Sequence, residues 1–567
     1  MKVCRLLCAA LLMACLTAAA HAQLPSFEQV RNGYVASDGV LLDRRGEPLS
    51  DVRLDYNVRR LAWTPLTQLS PAMREALLAA EDKRFFEHPG IDWRAFVGAA
   101  WQNMWNRTQR GASTLTMQVA GLLEPELRLP SRGRRSYSQK WDQSVAAIEL
   151  EQRWTKAQIL EAYLNLAPLR GDLQGLAAGS AFIFGLKPQA ITRREAVILA
   201  ALLRGPNAKP DLVGRRACAL AQTLGSAKMC AEIMQLAKNR LDAPRGPQHI
   251  LAPQLAREVL RQPGQVLTST LDATLQRKAL EAVQQSGAVD AAVLVLDNAS
   301  NEALVWVGAP AAAQPDGVNT RRLLPQWWWP YAASVALETR QATAATVLAD
   351  PLAVAAPDAF LPLDSASLRV ALSQHRAGPM AALLQTLPPN AVSDRLHLLG
   401  LDAPPGLDMP DSMGEVSLSH AAAAWRALAT GAYGMPHVQP GAVAPPRVLS
   451  AAANFIVLDM LATQGGAGWN AQWASVSPDA HQAMLVGSTD RLTIAVAVSL
   501  PTDHAERIAQ QVWRQVASGA QREVARAPQP PEGVAAQIVV FDPPAEPARR
   551  EWFIRAADEG AERYRRF

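Results

Sequence analysis

Glu81-Asp82-Lys83-Arg84-Phe85-Phe86-Glu87-His88-Pro89-Gly90-Ile91-Asp92 is the stretch on which the first part of this chain turns. Just upstream, Ser70-Pro71 offers an N-cap followed by proline at the first helical position, so a helix is expected to start at Pro71 and end inside the stretch. Leu78, Glu81, Asp82 and Phe85 then share one face at spacings of three and four. Two carboxylates therefore sit among apolar side chains close to a helix C-terminus. Desolvation and the negative end of the helix dipole favour the protonated form there, and Glu81 is the candidate general base. Taken alone, such a pair reads more simply as a solvated cap region.

About twenty residues further on, Gly111-Ala112-Ser113-Thr114-Leu115-Thr116-Met117-Gln118 sets three hydroxyls and an amide behind a glycine, at the start of an apolar helix. A helix start of this kind offers free N–H groups to an anion. An ordinary Ser/Thr cap is the plainer account. Between the two stretches Trp93, Phe96, Val97, Ala100, Trp101, Met104 and Trp105 recur at helical spacing, which suits a lipid headgroup boundary and, equally, a buried core. Helical signals run on to Asn207 and include a capping box at Thr155 and Gln158, so the first large domain is mainly α.

In this order, the two stretches resemble the first and second motifs of the family 51 peptidoglycan glycosyltransferases found in class A penicillin-binding proteins. Lys156 to Gly171 (KAQILEAYLNLAPLRG) looks like that family's fourth motif, and Gly175 to Asn207 (GLAAGSAFIFGLKPQAITRREAVILAALLRGPN) is similar to its fifth. The Leu-Ala-Pro-Leu-Arg-Gly-Asp-Leu-Gln-Gly run and the Ser-Thr-Leu-Thr-Met-Gln form look most like subclass 1C, and the domain so outlined covers residues 45–242. The resemblance implies a lysozyme-like helical fold beside a membrane. There Glu81 would deprotonate the 4-hydroxyl of an incoming lipid II sugar, which attacks the anomeric carbon of the growing chain and expels undecaprenyl pyrophosphate with inversion.

The same resemblance carries substrate binding onto Asp82, Phe85 and His88, onto Gly111, Ser113, Thr114 and Gln118, and onto Lys140 and Gln143 of the third motif. Phe85 and His88 would shape the site rather than do chemistry. Two positions depart from the family pattern. Gln143 stands where a glutamate usually follows the lysine by three residues, and Gly121 where a Lys or Arg usually closes the second motif. Arg128, Arg132, Arg134 and Arg135 substitute for that cation only if their loop folds back; otherwise they are a solvated loop. The implied partners are lipid II, the nascent glycan chain, the periplasmic side of the inner membrane and, as candidates, other cell-wall synthases; nothing calls for nucleic acid. No ligand cluster in the sequence demands a cofactor, although a divalent cation such as Mg could help neutralise pyrophosphate.

A Pro-rich, polar passage, Ala243 to Gln265, reads as a linker. Beyond it Ala291 to Leu296 and Ala303 to Val307 form an expected hairpin, and Gln482 to Val486 with Leu492 to Val498 a second, with Ala- and Leu-rich helical stretches between. Residues 266–522 are thus an α+β domain with an antiparallel sheet, and 523–567 carry too few signals to assign. Thr268 to Gln276 followed by the first hairpin resembles the entry to a penicillin-binding transpeptidase domain. Activity there needs Ser-x-x-Lys, Ser-x-Asn and Lys-Thr-Gly. Working back from Pro330 to Glu338, the serine position holds Gln326 and the lysine position Trp329. The other two elements fall at His375-Arg376-Ala377 and Trp473-Ala474-Ser475. The resemblance therefore implies a degenerate transpeptidase whose nucleophile site is filled by Trp327-Trp328-Trp329. A scaffold that binds glycan or other synthases without catalysis is the rival reading; a lysozyme-like hydrolase suits the implied fold but not the Ser-Thr-Leu-Thr-x-Gln motif.

Composition bounds these readings. At 567 residues and 49% apolar content the chain fills at least two cores. A net charge of +5 and a pI near 9.0 suit an anionic surface or a phosphate-bearing ligand, and equally a role in solubility alone. Residues 1–22 read as an export signal: Lys2 and Arg5 precede an apolar stretch ending in Ala20-His21-Ala22. Leu6 to Ala20 is short for a span of about 20 residues yet able to anchor, and Leu12-Met13-Ala14-Cys15 loosely resembles a lipoprotein box. Cys4, Cys8 and Cys15 lie in this leader, leaving Cys218 and Cys230 either to pair in an oxidising compartment or to remain buried thiols, with no metal-ligand spacing.

Overall fold

A computed structural model describes residues 24–94, 113–124, 137–242, 249–349, 365–465, 468–520, 523–541 and 546–555. The leader, Gly111, the tryptophan stripe beyond Arg94 and the arginine run from Arg128 lie outside them. The chain divides into two compact units, one of Met1–Gly39, Val52–Gln248 and Arg261–Gln265, the other of Val40–Asp51, His249–Leu260 and Val266–Phe567.

The first unit is helical. Ser70 caps the helix Pro71–Glu81 by accepting from Met73 N at 3.1 Å, and Thr155 with Gln158 forms the capping box of Lys156–Leu166. Met73, Ala76 and Leu77 bury one face of the Pro71 helix, which packs on Arg193–Leu203, apolar from Ala196 onward. The helix Leu115–Leu123 lies against both Tyr137–Arg153 and Lys156–Leu166. These contacts make one continuous core running from Met73 through Leu160 and Ile198 to Ile233. Cys218 and Cys230 form a disulfide with Cα atoms 4.9 Å apart, joining Pro210–Thr223 to Cys230–Leu241.

The second unit is built on a six-stranded antiparallel sheet, in the order Ala462–Gly465, Gly468–Val476, Gln482–Ser488, Leu492–Ser499, Asp290–Asp297, Ala303–Val307. Both expected hairpins are present. Central strands are apolar at successive positions, because helices cover both faces. Val293, Val295, Ile494 and Val496 pack with the helix Ala505–Ala520, while Leu418–Thr430 packs on the same strands and donates Trp425 Nε1 to Ser488 Oγ. Val40–Leu42 pairs in parallel with Val266–Thr268. The passage expected as a linker carries a helix, Pro253–Val259, within this unit, since Leu255 and Ala256 are buried there. No helix among the described residues is long and apolar enough to cross a membrane.

Candidate active site

The Pro71 helix ends at Glu81, and Asp82 is its C-cap, with its N–H still donating to Leu78 O. The two neighbouring carboxylates thereby leave the helix in different environments. Asp82 accepts from Leu115 N and lies 3.1 Å from His88 Nε2, tying the helix end to the start of Leu115–Leu123. Glu81 instead accepts from Gln118 Nε2 at 3.0 Å through Oε2. Among the described residues its Oε1 is buried without a hydrogen-bond partner, and Arg204 Nε stands 3.5 Å away. The Glu81 side chain is only 9% exposed, whereas that of Arg204 is 61% exposed. Gln118 in turn accepts from the Tyr163 hydroxyl at 3.2 Å. Burial first, and then the charge of Glu81, push that phenol well above its usual range.

A second cluster supports the first. Lys156 Nζ donates to Glu151 Oε1 at 2.6 Å and to His88 O at 2.7 Å, and lies 4.4 Å from the centre of the buried Phe85 ring. Glu151 Oε1 also accepts from Thr116 at 2.6 Å. Gly90 makes the turn between His88 and this cluster: at φ 92° a Cβ there would lie 2.9 Å from Ala147 O. Thr114 donates to Gly90 O at 2.6 Å while capping Met117 N.

The structure thus brings Glu81 to Gln118, and Asp82, Phe85 and His88 to the Lys156 cluster. It corrects the idea of a free anion-binding helix start at Ser113-Thr114, because the N–H groups of Leu115 and Met117 are taken by Asp82 and Thr114. Ser113 is half-buried. Gln143 is buried and donates to Met117 O at 2.5 Å, and Gly121 is buried within its helix. Lys140 stands in the first turn of Tyr137–Arg153. Among the described residues no group of three or more His, Cys, Asp or Glu is disposed to hold a metal ion.

Tyr163, Glu151, Lys156 and Arg204 are site residues that carry little signal in the sequence. A tyrosine flanked by Ala162 and Leu164 in the Lys156 helix is a signal for the first. Glu151 and Lys156 lie on two helices separated by Trp154-Thr155, so no periodicity joins them. Arg204 follows an apolar helix, where a cation reads as a partner of the helix dipole.

In the second unit Trp329, His375 and Trp473, from the three stretches aligned above with the transpeptidase elements, come together. The rings of Trp329 and His375 are 6.3 Å apart, those of Trp329 and Trp473 6.0 Å, and His375 stacks on Trp473 at 4.0 Å. The indole N–H groups of Trp327, Trp328 and Trp329 donate to the carbonyls of Gly414, Ser412 and Pro410 at 3.2, 3.3 and 2.8 Å. Gln326 takes a left-handed backbone at φ 62° and donates to Asp411.

A helical unit followed by an antiparallel-sheet unit is the fold of the class A penicillin-binding proteins: penicillin-binding protein 1A from Haemophilus influenzae matches 94% of this chain and 99% of its own, with a TM-score of 0.56 at 13% identity. A transglycosylase family model matches residues 45–225. Penicillin-binding protein 1C of Escherichia coli is 35% identical over 261 residues, 43% of this chain and 33% of that protein. A biosynthetic peptidoglycan transglycosylase of Azoarcus sp. is 33% identical over 193 residues, 34% of this chain and 79% of that protein. The chain belongs, through its first unit, to the peptidoglycan transglycosylase family. It spans about a third of the length of the 1C relative.

Proposed function

We propose that this chain polymerises lipid II into glycan strands, releasing undecaprenyl pyrophosphate, with Glu81 as the base. The observation that supports this reading is the Glu81 carboxylate: sheltered, held through one oxygen by Gln118, and with a second oxygen that, among the described residues, has Arg204 Nε at 3.5 Å beside it but no hydrogen-bond partner. A proton acceptor needs such a free lone pair within reach of the substrate hydroxyl. The hydroxyl proton passes to Oε1, the oxygen attacks the anomeric carbon, and the bond to the pyrophosphate oxygen breaks with its electron pair. Family membership and the ordered motifs support the same reaction.

The site we place at the periplasmic face of the inner membrane. Trp141, Val145 and Ile148 form one exposed stripe of the Tyr137 helix, and Phe86 and Trp93 are exposed as well. An uncovered apolar stripe of this kind fits a lipid boundary, where a lipid-linked substrate is collected. The second unit we read as a transpeptidase fold without its chemistry. Tryptophan and glutamine stand where a lysine and a serine would act, and a glutamine forms no acyl ester. Such a unit is available for docking other synthases.

Purified full-length chain with lipid II tests the proposal. Glycan polymer is the expected product. Absence of turnover would leave a wall-binding scaffold, and cleavage of preformed glycan would make the protein a hydrolase.

A further inference from the structure

We infer that Tyr163 is a positioning residue for the base: its hydroxyl, 3.2 Å from Gln118 Oε1, fixes which end of the Gln118 amide faces Glu81. The inference rests on Glu81 being the base.

A side-chain amide is nearly symmetric in shape but not in chemistry, since one end donates and the other accepts. Turned one way, Gln118 supports a carboxylate at Glu81 Oε2. Turned the other, its carbonyl faces that oxygen and is tolerated only by the protonated acid. A donor on the far side of the amide decides between the two, and Tyr163 supplies it. The phenol is buried, and its ionisation is displaced far from the working range. It therefore stays a donor whatever the state of Glu81. The three residues come from the end of one helix and the interiors of two others, Pro71–Glu81, Leu115–Leu123 and Lys156–Leu166. None of them can drift without a helix moving.

The consequence is directional. Gln118 occupies Oε2, so the incoming proton has Oε1 as its place. Among the described residues the charged or titratable groups facing Glu81 are Arg204, beyond the Arg193 helix, and Tyr163 on the Lys156 helix. The Leu115 helix presents the neutral Gln118. Asp82, next in sequence, is turned to His88 and Leu115 N. The amide orientation is therefore the adjustable part of this environment, and Tyr163 sets it.

Tyr163→Phe keeps the ring and removes only the donor. Lipid II polymerisation by the full chain should lose about tenfold in kcat with KM little changed, the worth of one net hydrogen bond. The acidic limb of its pH–rate profile should move to higher pH, because an unpinned amide turns its carbonyl towards a protonated Glu81. A merely structural tyrosine would not shift that limb. In a Gln118→Ala background the same substitution should have no further effect, since Tyr163 acts through Gln118. Wild-type kcat and pH profile in Tyr163→Phe, or losses that multiply in the double variant, would overturn the inference. Glu81→Gln assayed alongside separates the two levels: if it polymerises like wild type, the base assignment itself is wrong.

Discussion

Asp82 shows how a single residue ties a helix end to its surroundings. Its carboxylate accepts a backbone N–H from one helix and meets an imidazole from the following turn, both buried. Asp82→Ala leaves Leu115 N and His88 Nε2 without that acceptor, at a cost of about 2 kcal/mol for the buried donors. Chemical denaturation should read that loss as a lower midpoint with an unchanged slope, and an unchanged midpoint would count against the role. Lys156 is spent in the same way, on Glu151, His88 O and the Phe85 face. Lys156→Met keeps the stem and drops the charge, leaving Glu151 with Thr116. It should lower thermal stability, and an unaltered melting curve would show the cluster to be dispensable. Glu81 and Gln118 were each legible in the motifs. The hydrogen bond between them was not, because it closes across 37 residues and is set by helix packing.

Helix ends and hairpins are the elements the sequence announces, since Ser70, Thr155 and the short polar turns act within a few residues of themselves. Exposure of a helix face is a property of what packs against it, and periodicity alone does not supply it. The Tyr137 helix illustrates this: Trp141 is 67% exposed, and Val145 and Ile148 continue the stripe. Trp141→Ala with Ile148→Ala should weaken sedimentation with anionic liposomes while leaving circular dichroism unchanged; undiminished sedimentation would remove this face from membrane contact. The tryptophan run before Pro330 behaves in the opposite way. Trp329 is fully buried and its N–H is satisfied by Pro410 O. Trp329→Ala should therefore destabilise the second unit by about 3–5 kcal/mol in denaturant unfolding. A change under 1 kcal/mol, about what one exposed contact is worth, would mean that the cluster is not packed as described.

At the scale of the whole molecule, the change from helical to strand patterning separates the two units, while their boundary is less simple than a linker. Val40–Asp51 belongs with strands more than 200 residues later, as the pairing of Val40 with Val266 shows. Such pairing depends on register between distant segments, and no local signal encodes it. On the proposed reading of the second unit, in which Gln326 stands at the position of the acylated serine, fluorescent penicillin should give no covalent band. A band that unlabelled penicillin competes away would contradict that reading. The most direct measurement on the account as a whole is lipid II polymerisation by the full chain and by Glu81→Gln at equal concentration. The amide keeps the side chain's shape and removes its basicity, so polymer should form with the first and fall at least a hundredfold with the second, within the range of about 10²–10⁴ for a general base. Equal rates would contradict the assignment of Glu81 and, with it, the proposed mechanism.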